Sequence, residues 1–461
     1  MIKNLLRTSL LLSCASLFIV SCKKEVDPSG LNPGLSSASK SSKDDHEHTK
    51  KYSSDVITSW LNMQLVMLKT PLPPGTGSQA TDRCQVYCGV AVYEAVVPGM
   101  PSYQSLSGQL NGLADLPQTE RGRTYHWAAA ANAALADMNR DLFPTTAAIN
   151  KTKMNQLEDS LKAIYATETD PSTLQRSIDF GKAIAAKVFA WALVDGFSNV
   201  NPAYIPPVGP GLWVPTSPTP PVNPYAWQWR LNVPGSANST ALEPPPPYST
   251  DPSSEFYAMV KDVYNVSLVL TQDQKNMADY FKDGPGYSPG GGFIAVLSQA
   301  LALKHPSLDW AAETYAKVGL AQHDASIVLF TGKYTFNLIR PVTYIRAVID
   351  PSWNTYIPTP NHPEFPSGHA TTNGAVLTMM ANMFGDHFPI TLHTYDYLGY
   401  PPRSYQTFTE MGLEMANSRL YGGLHYRPTC VKSIAEGKQV AENILNAVHF
   451  KKGGGHEEDE D

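Results

Sequence analysis

Three short runs in the C-terminal third of the chain concentrate groups that bind anions and move protons. They are Lys333-Tyr334-Thr335-Phe336-Asn337-Leu338-Ile339-Arg340-Pro341, Pro366-Ser367-Gly368-His369, and Ser418-Arg419-Leu420-Tyr421-Gly422-Gly423-Leu424-His425. Together they hold three cations (Lys333, Arg340, Arg419), two imidazoles (His369, His425), the Ser367 hydroxyl and the Gly368 amide. That set suits a pocket for a tetrahedral or trigonal-bipyramidal oxyanion. Each run alone has a plainer reading. Lys333, Asn337 and Arg340 stand at i, i+4 and i+7, so they share one face if a helix continues through them; that face is either solvated or part of a pocket. Pro341 ends or kinks such a helix just past Arg340. Ser367 and Gly368 are placed either to cap a helix or to offer free N–H groups and a dipole to an anion. Gly422-Gly423 forms a helix C-cap or turns His425 back into a pocket.

The surrounding chain must bring these runs together, and its pattern is helical. Apolar residues recur at helical spacing from Ile57 to Leu68. Further helices are predicted over about 82–97, 118–141, 147–168, 172–194, 253–265, 271–282, 291–304, 308–331, 367–384, 404–421 and 431–449. Almost no strand pattern is present. The fold class is all-α: helical bundles joined by long proline-rich loops. The alanine-rich run about Ala128–Ala134 suggests closely packed helices. Residues 53–197 form an N-terminal bundle and 253–450 a C-terminal catalytic bundle in this reading. Between them lies 198–252, in which residues 198–250 carry 14 of the 38 prolines and five large aromatics run from Tyr204 to Trp229. A stretch that long without elements is disordered or functional. Its aromatics argue for an ordered loop on the body, near an active-site entrance.

The ends read differently. Lys3 and Arg7 precede an apolar run from Leu10 to Val20, too short for a confident membrane span. It closes on Ile19-Val20-Ser21-Cys22, which resembles a bacterial lipobox with Cys22 as the lipidated residue. Residues 1–22 are therefore read as a lipoprotein signal, 23–52 as a disordered tether and 451–461 as an acidic tail. The expected location is the bacterial cell envelope, outside the cytoplasm and held to a membrane by lipid alone. His46 and His48 are solvated tether residues or a weak metal site. Cys84 and Cys88, one helical turn apart, are read as buried thiols because such a pair seldom has disulfide geometry. With a net charge of −6 and no basic run, nucleic acid is not an expected partner.

Taken in series, Lys-x6-Arg-Pro, Pro-Ser-Gly-His and Ser-Arg-x5-His resemble the signature of the superfamily of vanadium-dependent haloperoxidases and type 2 phosphatidic acid phosphatases. The gaps fit too: 24 residues part Pro341 from Pro366, and 49 part His369 from Arg419. The resemblance implies that Lys333, Arg340 and Arg419 bind equatorial oxygens of vanadate or phosphate, with Ser367 and the Gly368 amide completing the cradle. It implies that His425 is the axial group, ligand to vanadium or nucleophile toward phosphorus, and that His369 is the general acid/base. His362, seven residues before His369, lies either at the halide and peroxide side or in a structural turn. The implied activity is vanadate-dependent oxidation of halide by hydrogen peroxide, with a small organic acceptor downstream. The alternative is a phosphatase acting on phosphate esters through phosphohistidine, without a cofactor. One departure stands out. The family often places an aspartate four residues after the axial histidine; here that position is Thr429, which brings no charge to His425.

Overall fold

The computed structural model describes residues 48–69, 77–282 and 291–453. Cys22, His46, the signal segment and the acidic residues 454–461 lie outside them. Among the described residues are thirteen α-helices: α1 Asp55–Lys69, α2 Gly77–Val96, α3 Trp127–Leu142, α4 Ala148–Tyr165, α5 Pro171–Ala192, α6 Glu255–Leu268, α7 Gln272–Tyr280, α8 Gly291–Lys304, α9 Leu308–Phe336, α10 Pro341–Val348, α11 Gly368–Phe384, α12 Phe408–Tyr421 and α13 Arg427–Ala447. A single antiparallel pair, β1 Ile390–Leu392 and β2 Arg403–Tyr405, was not anticipated. It claims the start of the segment predicted as helix from 404. α12 begins only at Phe408, where the Thr407 side chain accepts the Glu410 N–H.

α9 is the axis of the fold. It packs on α2 on one side and on α11 and α13 on the other. One continuous apolar core runs from Trp60 and Tyr87 through Tyr315 to Met379 and Ile444. α11 and α13 meet at Gly437, where an added Cβ would lie 1.8 Å from the Thr371 carbonyl oxygen. Only glycine permits that approach, and it sets the distance between the helices that carry Ser367 and Thr429. Among the described residues no helix is long and apolar enough to cross a membrane.

Several boundaries moved for local reasons. α3 starts at Trp127, not near 118, because His126 is its cap: the ring Nδ1 accepts from the Ala129 N–H at 3.1 Å and Nε2 meets Glu168 at 2.8 Å. α13 starts at Arg427, with Pro428 in its first turn. Thr49–Lys51, read as part of the tether, form a 3-10 turn tied to Val96 by the Thr49 hydroxyl at 2.9 Å. Cys84 and Cys88 are buried free thiols with sulfurs 3.8 Å apart.

The proline-rich loop is ordered. Trp213 is buried, its N–H donates to the Asn337 carbonyl at 2.7 Å, and Ile339 N–H donates to Gly211 at 2.9 Å. Val222 N–H reaches Asn361, and the Tyr334 hydroxyl donates to Val222 at 2.6 Å. The loop thus straps the Lys333–Arg340 run to the 360–363 turn. Burying one such tryptophan is worth on the order of 2–3 kcal/mol, and a 3-10 turn at Ala226–Gln228 adds local order.

Candidate active site

The helix predicted over about 308–331 runs on to Phe336, past Lys333 but short of Arg340. Asn337 takes a left-handed conformation (φ 46°), and α10 begins only at Pro341. The three side chains therefore do not share a helical face. Asn337 turns away: its Oδ1 accepts from the Tyr204 hydroxyl and its amide donates to Tyr334 O. Lys333, in the last turn of α9, and Arg340, capping α10, converge without it.

Both cations are fully buried. Lys333 Nζ donates to the carbonyl oxygens of Pro363 (3.0 Å), Glu364 (3.2 Å) and Pro366, bracing the loop ahead of α11. Burial, with Arg340 nearby, holds this ammonium well below the usual lysine range. Arg340 spreads its guanidinium across the site. Nε donates to His362 O (2.9 Å), Nη1 to Leu424 O (2.9 Å) and toward His425 Nε2 (3.3 Å), and Nη2 to His362 Nδ1 (2.9 Å). Burial pulls its pKa down to about 10.

Because a guanidinium only donates, these contacts assign the histidine tautomers. His425 Nε2 is the lone-pair nitrogen, so the neutral ring carries its proton on Nδ1. That Nδ1–H meets Glu364 Oε1 at 2.9 Å. Burial, reinforced by Arg340, Lys333 and Arg419, keeps the imidazole neutral, far below its ordinary pKa. His362 likewise accepts at Nδ1 and carries its proton on Nε2; burial and the same two cations, Lys333 and Arg340, lower its pKa as well.

Glu364 is the functional residue that the sequence reading missed. Its Oε1 also accepts the Tyr426 N–H at 2.9 Å, and its Oε2 accepts the Thr429 hydroxyl at 3.1 Å. Thr429 therefore supplies no charge itself but holds the carboxylate that does. Burial pushes the Glu364 carboxyl up to about 7, against the pull of the Tyr426 amide, Arg340 and Lys333. The signal was available: an acid between two prolines and beside Phe365 has little reason to be there unless it is buried and paired.

Ser367 stands at the N-cap position of α11 but makes no side-chain capping bond, and its Oγ is buried with no hydrogen-bond partner. Its N–H donates to Ser433 Oγ at 2.8 Å, which orients it. A buried orphan hydroxyl costs about 1–3 kcal/mol, so the capping reading fails and an absent acceptor fits. α12 brings Arg419, whose Nη1 donates to Phe281 O at 2.5 Å. Gly423 (φ 76°) then reverses the chain and presents His425 just ahead of α13. Lys333, His362, Gly368, His369, Arg419 and His425 all line one cavity of about 420 Å³. Every residue expected at the site is thus on or beside its wall, Arg340 through its bonds to His362 and His425 and Ser367 next to Gly368.

The donor set fits an oxyanion. Three buried cations, a hydroxyl without an acceptor and the first amides of α11 converge beside one neutral imidazole lone pair. Among the described residues no three His, Cys, Asp or Glu come together to hold a metal cation.

Comparison with known proteins agrees. Residues 313–452 match the family model described as the VCPO second helical-bundle domain. The structure is similar to that of a bacterial vanadium-dependent iodoperoxidase, at 27% identity and a TM-score of 0.78, over 87% of this chain and 97% of that one. The apo and holo forms of a bacterial vanadium-dependent chloroperoxidase share the fold at 16% and 18% identity, each with a TM-score of 0.62, over 82% and 83% of this chain and 96% and 93% of theirs. No curated protein sequence matches. The mainly helical fold, the cradle at the cavity wall and these likenesses agree, and the chain is similar over most of its length to bacterial vanadium-dependent haloperoxidases.

Proposed function

We propose that this protein is a vanadate-dependent haloperoxidase that uses hydrogen peroxide to oxidise halide, iodide foremost, to hypohalous acid. The observation that carries the reading is the neutral His425, proton on Nδ1 toward Glu364 and lone pair on Nε2 beside Arg340. It faces the same cavity as the cationic cradle. When bound, vanadate supplies a Lewis acid that activates peroxide without redox chemistry at the protein.

The protein's own groups have separable tasks. Arg340, Arg419 and Lys333 balance the anion's charge. Ser367 Oγ and the Gly368 N–H donate to it. His425 Nε2 is the lone pair that would hold the vanadium, kept available because Glu364 holds the proton on Nδ1. His369, in the first turn of α11 and on the cavity wall, would serve as the group that takes a proton from peroxide. His362, fixed through Nδ1 by Arg340, offers its Nε2–H as a donor to halide or peroxide. The likeness to the iodoperoxidase, at higher identity and TM-score than to the chloroperoxidase, supports iodide as the first halide to test. The lipobox reading of Cys22 is part of the same proposal and assigns the enzyme to the outside of the cytoplasm; intact-mass analysis of membrane-extracted protein checks it.

The central test is paired. Protein without residues 1–22 is divided, and half is incubated with orthovanadate. Both halves are assayed for triiodide formation with peroxide and for p-nitrophenyl phosphate hydrolysis. Iodide oxidation that needs vanadate and is lost in His425→Ala is the expected result. Phosphatase activity in the untreated half, inhibited by vanadate, would overturn the reading in favour of phosphohistidine chemistry.

A further inference from the structure

The cradle occupies only one end of its cavity. Along α9 the residues Ser326, Leu329, Phe330 and Lys333 all line it. Their spacing of three, one and three residues marks one helical face, and seven residues rise about 10 Å. The cavity therefore runs roughly two helical turns from Lys333 to a second polar point. There Asp82, from α2, lines the wall beside Ser326. Asp82 Oδ1 accepts from Gln322 Nε2 at 2.6 Å and Oδ2 from Ser326 Oγ at 2.7 Å. Each carboxylate oxygen can take two donors, so one site on each remains for a ligand. Phe281, Phe293, Val296, Leu329 and Phe330 give the same cavity much apolar wall. A volume of about 420 Å³ exceeds the needs of an oxyanion with peroxide and halide, and falls in the range of about 300–1,000 Å³ typical of organic-ligand sites.

The two ends are opposite in charge. Lys333 and Arg419 line one and a buried acid the other, while Lys282, which also lines the cavity, is paired with Asp279 at 2.8 Å. A molecule lying along the cavity would place a cationic or hydrogen-bond-donating end on Asp82 and an electron-rich ring toward the cradle. We propose that the Asp82 end is a binding site for an organic halogen acceptor, an aromatic ring carrying an amine or other donor group. Asp82 would orient it, and the phenylalanine walls would hold the ring. The inference rests on the haloperoxidase reading for its chemistry. Peroxide removes two electrons from halide to give hypohalous acid. A ring carbon then takes the halogen, its C–H bond becomes C–X, and the ring proton leaves with hydroxide as water. Burial pushes the Asp82 carboxyl up to about 6, so it is largely ionised at neutral pH and able to pair with an ammonium.

Tyramine is a suitable probe. Calorimetric titration of the vanadate-free protein is expected to show saturable one-to-one binding, weakened at least tenfold by Asp82→Asn. Val296→Trp, which adds bulk to the cavity wall from α8 and leaves the acid in place, is expected to weaken it as much, with thermal melts confirming that both variants fold. In the vanadate-loaded enzyme both variants should form triiodide at the parent rate but show a KM for tyramine iodination raised tenfold. No saturable binding, or iodination kinetics identical in the parent and both variants, would overturn the site and leave hypohalous acid reacting in bulk solution. Tyramine binding sensitive to Asp82, in protein that never oxidises iodide, would keep the site and remove the haloperoxidase reading.

Discussion

Two buried charges on α9 make opposite use of the interior. Asp324 is closed. Its Oδ1 accepts the Asn232 N–H at 2.8 Å, and its Oδ2 accepts the Val233 N–H at 3.0 Å and the Ser236 hydroxyl at 2.7 Å. It pins residues 232–236 of the proline-rich loop to the helix. Nine residues on, about 13 Å along the axis, Lys333 stands at a cavity wall among other buried cations, beside a serine hydroxyl that has no partner. Charge neutralised by fixed protein donors stabilises a fold. Charge gathered in excess at a cavity lowers stability unless a ligand completes it, and that imbalance marks the site.

The widest separation between the two regions should come from His425→Ala. Iodide oxidation is expected to fall by three orders of magnitude or more, roughly 4 kcal/mol of transition-state stabilisation, with urea unfolding little changed. Asp324→Ala should do the reverse. Three donors lose their acceptor, for about 3–4 kcal/mol of stability, while kcat per folded molecule holds; a fall in kcat at unchanged stability would erase the contrast.

A second closed acid sharpens it through pH. Glu94 accepts from Ser105 Oγ (2.7 Å) and the Leu106 N–H (2.6 Å), and burial raises its pKa from 4.5 to about 7. Between those values the native state binds more protons than the unfolded one, so stability falls as pH rises through the window. Glu94→Gln should flatten that slope, gaining about 3 kcal/mol relative to the parent across it; parallel denaturation curves from pH 4.5 to 7.5 check it.

Glu364→Gln keeps the shape beside His425 and removes the charge. Activity should drop about 10–100-fold, as for other residues that orient a ligating histidine, and Thr429→Val should follow with a smaller loss. The smallest effect belongs to Ser367→Ala. Vanadate affinity, followed by intrinsic fluorescence, should weaken about tenfold, since a hydrogen bond to a charged group contributes roughly 1.5 kcal/mol. Stability should not fall, because the hydroxyl has no partner to lose.

Much of this site was legible before any coordinates. The three runs named seven contributors because their chemistry is local: a cation, a glycine amide or a hydroxyl at a helix start is recognisable from type and spacing. What failed was geometry carried across the chain. The i, i+4, i+7 spacing offers a shared face only if the helix continues, and Asn337 prevents that by adopting a left-handed cap that frees Arg340 to approach from α10. Seeking the partner of His425 four residues later was a helical-spacing argument. The carboxylate came instead from Glu364, 61 positions earlier, held there by Thr429.

The sequence by itself determined an all-helical chain, the identity of the anion-binding groups and the place of the proline-rich loop, because helical periodicity, proline and glycine act within a few residues. Only the tertiary structure decided how charge is distributed around those groups. The pairing of Glu364 with His425, the orphaned hydroxyl of Ser367 and the corridor from Lys333 to Asp82 all depend on which segments meet across α9. Burial and Coulomb forces act through space, and the spacing of residues along a chain carries no measure of either.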